Sequence, residues 1–296
     1  MTGEILATLA AFAYGLAGVF IIQGKAKARG DNGVFLSILL TFGMSLCLWV
    51  GWGKVAVSDI MVPDLFPAMA AFAVAGVLAN VVGRQSMYRA TEMVGAVRAG
   101  IMRRMTPIFA MPCAVVLLGQ YPDALHIAGA LIILIGVAIY LVQPTGQSLA
   151  IPKIGLVVGV MSALAYALAY CFRGIGLVSI PDAALGASVG ALFAAVILLI
   201  WALGAKGAKA GWAYITIDRS RQHWQTALAL SAGQLLQFFA LKTASVLSVA
   251  VLGTLEVLFC AAFVLVITRC ETVAIIRLLI ASIVTMGGTT LLFLSP

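Results

Sequence analysis

Ten stretches of roughly 20 apolar residues follow one another along this chain, interrupted only where charges, Pro or Gly clusters intervene. A stretch of that length crosses the hydrocarbon core of a bilayer as one helix. The expected spans are 3–24, 33–53, 65–87, 93–117, 124–143, 153–173, 183–204, 224–242, 246–268 and 273–294. The expected fold class is therefore all-α integral membrane, with ten transmembrane helices. Composition agrees: 63% of the 296 residues are hydrophobic and 9% are charged, whereas a soluble domain carries roughly a quarter of its residues as charges. A net charge of +8 can signal nucleic-acid binding, but that requires a basic stripe on a water-exposed face. Here the cations are scattered between apolar runs, so no nucleic-acid partner is expected and the lipid bilayer is.

The connections are too short to hold a soluble catalytic domain. The longest, Ala205 to His223, carries Lys206, Lys209, Asp218, Arg219 and Arg221 and reads as a solvated link. The first run begins almost at Met1 without a basic leader or a clear cleavage site, so it reads as a retained helix. Cys47, Cys113, Cys171, Cys260 and Cys270 sit in or beside apolar segments with no C-x-x-C spacing. His126 and His223 have no carboxylate or second His at ligand spacing. No metal and no cofactor are expected.

Sliding the chain by 152 positions lays the first span on the sixth. Gly3 meets Gly155, Ala11 Ala163, Ala13 Ala165, Tyr14 Tyr166, Leu16 Leu168, Ala17 Ala169 and Phe20 Phe172; Pro144 meets Pro296. Two apolar helices share Ala and Leu easily, so the Tyr and Phe matches carry the argument. Two units follow, 1–146 and 151–296, each of five helices. An odd number of crossings makes the second unit enter from the opposite side, so the expectation is two inverted five-helix repeats. That is a transporter architecture, with its site near the midplane between the repeats.

The organisation resembles the drug/metabolite transporter superfamily, in its ten-helix EamA-type branch, over essentially the whole chain. Ala13-Tyr14-Gly15 and Ala165-Tyr166-Ala167 are similar to its A-x-x-[WY]-G/A region. Met105-Thr106-Pro107-Ile108-Phe109-Ala110 and Leu255-Glu256-Val257-Leu258-Phe259 each keep part of its L-E-P-x-[FL]-x-A pattern, the first with the Pro and the second with the Glu. Gly119-Gln120 and Cys270-Glu271 are degraded forms of the Gly-Glu that often follows the fourth helix. The resemblance implies carrier-type transport of small metabolites, often export of amino acids or related compounds, with cytoplasmic termini.

An ionisable group inside a span is costly and usually faces the bundle interior. Glu256, near the centre of the ninth span, is the only acid deep in any helix. It is expected to bind a substrate cation, to accept a coupling proton, or both; a structural ion pair with an arginine is the competing reading. Arg98, Arg103 and Arg104 share the fourth span, and one helix face cannot hold all three. Arg98 is placed to snorkel, whereas Arg103 or Arg104 should reach the cavity or Glu256. A chamber with Arg and Glu suits a zwitterion. If one arginine fully engages Glu256, the remaining positive charge favours carboxylates or organophosphates.

Asn80, Arg84 and Tyr88 follow at i, i+4 and i+8 on the third span; Ser231, Gln234 and Gln237 follow at i, i+3 and i+6 on the eighth. They read as cavity lining, with interhelical hydrogen bonding as the alternative. Tyr14 and Tyr166 would give the cavity aromatic walls. Tyr170 and Arg173 continue that line, Tyr170 with less weight because a tyrosine near the interface also serves as a belt residue. The expected substrate-binding set is Tyr14, Asn80, Arg84, Arg103, Arg104, Tyr166, Gln234, Gln237 and Glu256.

Gly186-Ala187-Ser188-Val189-Gly190 matches a nucleophile elbow but lies inside an apolar span, where G-x-x-x-G serves helix packing. No phosphate-binding loop of the G-x-x-x-x-G-K-[ST] form exists, which excludes direct ATP drive within this chain. An enzyme is not expected. The reading is a secondary transporter of a small polar metabolite, most consistent with an amino acid or related zwitterion being exported, with protons as a coupling ion. A carrier of carboxylates or organophosphates and a passive facilitator are the alternatives. The setting is the inner (plasma) membrane, as monomer or homodimer. Lys25, Lys27, Arg29, Arg89, Lys153, Lys206, Lys209, Arg219, Arg221 and Arg269 crowd the odd-numbered connections, against Lys54, Arg173 and Lys242 on the even ones. The positive-inside rule thus puts both termini outside, opposite to the resemblance.

Overall fold

The computed structural model describes residues 2–56, 62–103, 105–141, 153–268 and 275–294. Among these residues there are helices and connections and no strand. The first three spans are α1 (Thr2–Lys25), α2 (Val34–Trp52) and α3 (Pro63–Val94). The fourth is made of two pieces, α4 (Ala96–Arg103) and α5 (Thr106–Leu118), and the fifth is α6 (Ala124–Leu141). The sixth and seventh are α7 (Lys153–Ser179) and α8 (Ala183–Lys206). After α9 (Ala208–Thr216), α10 (Arg221–Ala240) is the eighth. The ninth is again in pieces, α11 (Val246–Gly253) and α12 (Glu256–Phe263) with a π turn at Val264–Thr268, and α13 (Ile275–Leu294) is the tenth. The molecule is an all-α membrane protein. Val116, Val178 and Val266 face outward at 81%, 79% and 81% exposure, as side chains solvated by lipid.

Two expectations are corrected. The connection from Ala205 to His223 is not merely a solvated link, because α9 folds within it. Ala208, Ala210 and Ala213 favour helix, and Gly211 lies so close to α8 that a Cβ there would sit 2.2 Å from the Ala202 carbonyl oxygen. Trp212 stays half exposed, the pattern of a short helix lying along an interface. The sixth helix also runs past residue 173 to Ser179. Arg173 is therefore a buried bundle residue, 1% exposed, and not a loop charge.

Three spans depart from regular α-helix, each beside polar residues. In α3 a π segment covers Val77–Gly83, directly before Arg84; such segments concentrate at functional positions. The fourth span breaks because Pro107 has no N–H to offer the Arg103 carbonyl; the Thr106 hydroxyl donates to that carbonyl instead, at 2.5 Å. In the ninth, Thr254 and Leu255 bond back only three residues, to Val251 and Leu252. Arg103 ends one half-helix and Glu256 begins another.

The packing has a symmetry of its own. The first span packs on the eighth and the third on the sixth; the first on the ninth and the fourth on the sixth; the second on the eighth and the third on the seventh. The second packs on the seventh, the fourth on the ninth and the fifth on the tenth. Advancing every span by five returns the same set of pairs. Small residues allow the closest approaches: a Cβ on Gly76 would lie 2.0 Å from the Gly190 carbonyl oxygen, so α3 and α8 touch backbone to backbone, as G-x-x-x-G contacts do. On α1, Gly15 also packs closely against the Glu256 carbonyl oxygen and the Cys260 amide, which a Cβ would meet at 2.8 and 2.9 Å.

Candidate functional site

A small cavity of about 20 Å³ opens where α1, α7 and α10 meet the two broken spans, lined by Tyr14, Arg103, Thr106, Tyr170, Gln237 and Glu256 among others. Ala7, Ala10 and Ala11 give it room on the α1 side. Across it Arg103 Nη1 donates to Glu256 Oε1 at 2.6 Å, with the two side chains 9% and 12% exposed. The Arg103 guanidinium also lies over two rings, 4.9 Å from the Tyr166 centroid and 5.7 Å from that of Tyr14. Aromatic faces attract a cation that has left water. The pair that bridges the cavity thus joins the fourth span to the ninth at their breaks.

Behind it Gln237 collects three neighbours. Its Oε1 accepts from the Tyr14 hydroxyl at 3.3 Å and from Arg173 Nη1 at 2.7 Å, and its Nε2 donates to the Tyr170 hydroxyl at 2.6 Å. Arg173 also stacks 4.5 Å from the Phe238 centroid. One turn earlier on α10, Gln234 Oε1 accepts from Arg84 Nη2 at 2.6 Å. The other Arg84 Nη donates to Ser37 Oγ at 2.9 Å, and Ser231 shares hydrogen bonds with Thr41 Oγ1 and the Ser37 carbonyl. This layer of arginines, glutamines and hydroxyls spans α2, α3, α7 and α10.

On its far side a second cavity of about 90 Å³ is lined by Asp31, Gln85, Tyr88, Arg89, Glu92 and Tyr214 among others. The α1–α2 connection, which contributes Gly30 and Asp31 to its lining, is tied down by hydrogen bonds. Asp218 accepts from the backbone amides of Arg29, Gly30 and Asn32 at 2.7, 2.9 and 2.8 Å, and Asn32 Nδ2 donates to Glu92 Oε1 at 2.7 Å. Asp31 caps α2, accepting from Gly33 and Phe35 at 3.0 and 2.7 Å. Burial pushes the Asp31 carboxyl up to about 7, against the lowering effect of those amide hydrogen bonds and with help from the nearby Asp218 charge.

The expected residues distribute as follows. Tyr14, Arg103, Gln237 and Glu256 line the first cavity, and Tyr166 flanks it under Arg103. Arg84 and Gln234 bond to each other in the layer between the cavities. Asn80 is fully buried within the π segment, with no hydrogen-bond partner for its amide, and lines neither of these cavities. Arg104 lies outside the described residues. Tyr170 and Arg173, given little weight in the sequence, are central. The signal was present: with Tyr166 they continue a stripe at i, i+4 and i+7 on one helix face.

Comparison with known proteins adds a partial family match and a fold. Residues 1–142 match the model of the EamA-like transporter family. A solved crystal structure aligns over 98% of this chain and 94% of its own length, at 16% identity and a TM-score of 0.69; at that identity the likeness is one of fold. No curated protein matches the chain in sequence.

Proposed function

We propose, from the match of residues 1–142 to the EamA-like transporter family, that the molecule is a secondary carrier working by alternating access. In this reading the units 1–146 and 151–296 are inverted copies and rock about the polar layer, opening the two cavities in turn. Its cargo is a small polar metabolite, with an amino acid or related zwitterion as the first candidate and export as the direction, across the inner membrane. The observation that carries the reading is the Arg103–Glu256 pair set between two broken helices and walled by Tyr14 and Tyr166. A zwitterion exchanges with such a pair directly, its carboxylate replacing Glu256 on the guanidinium and its ammonium replacing Arg103 on the carboxylate. A proton on Glu256 would release Arg103 by another route, which makes Glu256 the candidate coupling group.

The test is counterflow into liposomes holding the purified protein, with neutral amino acids, organophosphates and lipophilic cations compared. The carrier predicts saturable exchange that collapses in Glu256→Gln. Flux that neither saturates nor shows counterflow would mark a channel-like facilitator. Exchange of organophosphates alone, unaffected by the substitution, would remove Glu256 from the site.

A further inference from the structure

Arg84 and Arg173 are each 1% exposed, and their hydrogen bonds go to neutral groups: Ser37, Thr41 and Gln234 for the first, Gln237 for the second. A guanidinium remains charged wherever it is placed. Among the described residues the acid inside the bundle is Glu256, and it is bonded to Arg103. The polar layer therefore carries surplus positive charge. It also carries surplus donors: Arg84 Nε, Arg173 Nε and Nη2, and Gln234 Nε2 are buried without a protein acceptor, although buried polar groups are nearly always partnered. Gln234 and Gln237 are a turn apart on one face of α10, so the two arginines converge on the same stretch of helix, close enough for their charges to repel.

Surplus cation and surplus donors together are complementary to an oxyanion. We infer that Arg84, Arg173 and Gln234 form an oxyanion subsite, so the transported molecule carries a carboxylate or phosphate group beyond those that meet Arg103 and Glu256. The inference rests on the carrier reading and gives its cargo a net negative charge. Gln237 connects the two places: it lines the first cavity while its amide holds Tyr14, Tyr170 and Arg173.

Matched probes test this. Glutamate against glutamine, and phosphoserine against serine, differ in one acidic group and little else. Counterflow into liposomes and thermal stabilisation in detergent should both favour the acidic member by about tenfold or more, the scale of a charged hydrogen bond. The carboxylate and phosphate pairs separate the two oxyanion types. Arg173→Gln should abolish the preference, bringing the acidic member of each pair down to the exchange of its neutral partner. Gln234→Glu supplies an internal carboxylate to Arg84, so it should keep the fold and lose the preference too. Equal handling of acidic and neutral partners by the wild type, or a preference that survives both substitutions, overturns the subsite while the carrier stands. A protein that exchanges none of the four and is stabilised by none overturns both readings.

Discussion

At the scale of residues, the bridge across the first cavity is a partly buried ion pair, and its two members are not independent. Removing one partner leaves the other charge in a low-dielectric place, at a cost of about 3–5 kcal/mol. Arg103→Gln and Glu256→Gln should therefore each lower the unfolding temperature. The double substitution should recover part of the loss, because no unpaired charge remains. A double-mutant cycle by thermal unfolding in detergent reads this coupling, and strictly additive losses would contradict it. The sequence showed Glu256 as the lone deep acid and narrowed its partner to Arg103 or Arg104, since charge inside a span must find a partner. It could not show that Arg173 belongs with them. Span length alone places that residue at a helix end, and only the extension of α7 to Ser179 buries it.

At the scale of elements, the α1–α2 connection is a latch whose hydrogen bonds converge on Asp218. Asp218→Ala removes the acceptor of three backbone amides, which should speed amide exchange in residues 29–32 while the bundle helices keep their protection. Asp31 adds a pH dependence. Its carboxyl is raised from 3.8 to about 7 in the folded protein, so the native state holds a proton that the open connection releases. Its stabilisation is complete below about 3.8 and disappears as pH rises through about 7. Glu92, Arg89 and Tyr214 line the same cavity, and the Asp218 charge lies close by. Protection of the latch, corrected for intrinsic exchange, should fall between about pH 4 and pH 7 and level off above, and Asp31→Asn should flatten that fall; a flat wild-type profile would contradict the assignment. Helix existence was legible from the apolar runs, whereas the breaks were not. Pro107 marks one break plainly, but the discontinuity at Thr254-Leu255 and the π segment in α3 have no comparable local signal and arise from packing. Close packing also makes Gly76→Leu a strong test of the α3–α8 contact: with backbone 2.0 Å from the new Cβ, we expect loss of folded protein on size-exclusion chromatography.

At the scale of the whole molecule, the cationic loop residues gather at one end of the bundle. Lys25, Lys27, Arg29, Lys206, Lys209, Arg219 and Arg221 lie beside the second cavity's end, and with Arg173 buried the opposite end keeps Lys54 and Lys242. The positive-inside rule predicts that the second cavity faces the cytoplasm with both termini outside, opposite to what the family resemblance implies. A phosphatase fused after Pro296, active only when exported, should then be active; an inactive fusion would support the opposite orientation. The proposed duplication rests on Tyr14 and Tyr166 standing 152 positions apart, and the packing pairs are consistent with it under the same exchange of halves. The central claim is that these halves rock about a fixed polar layer. Cysteines placed at Ala7 in the first cavity and at Val34 in the second, in an otherwise cysteine-free background, report it through reaction with a membrane-impermeant maleimide. A transported substrate should raise the reactivity of one cysteine and lower that of the other. Reactivities that rise together would describe a continuous pore, and would contradict the carrier.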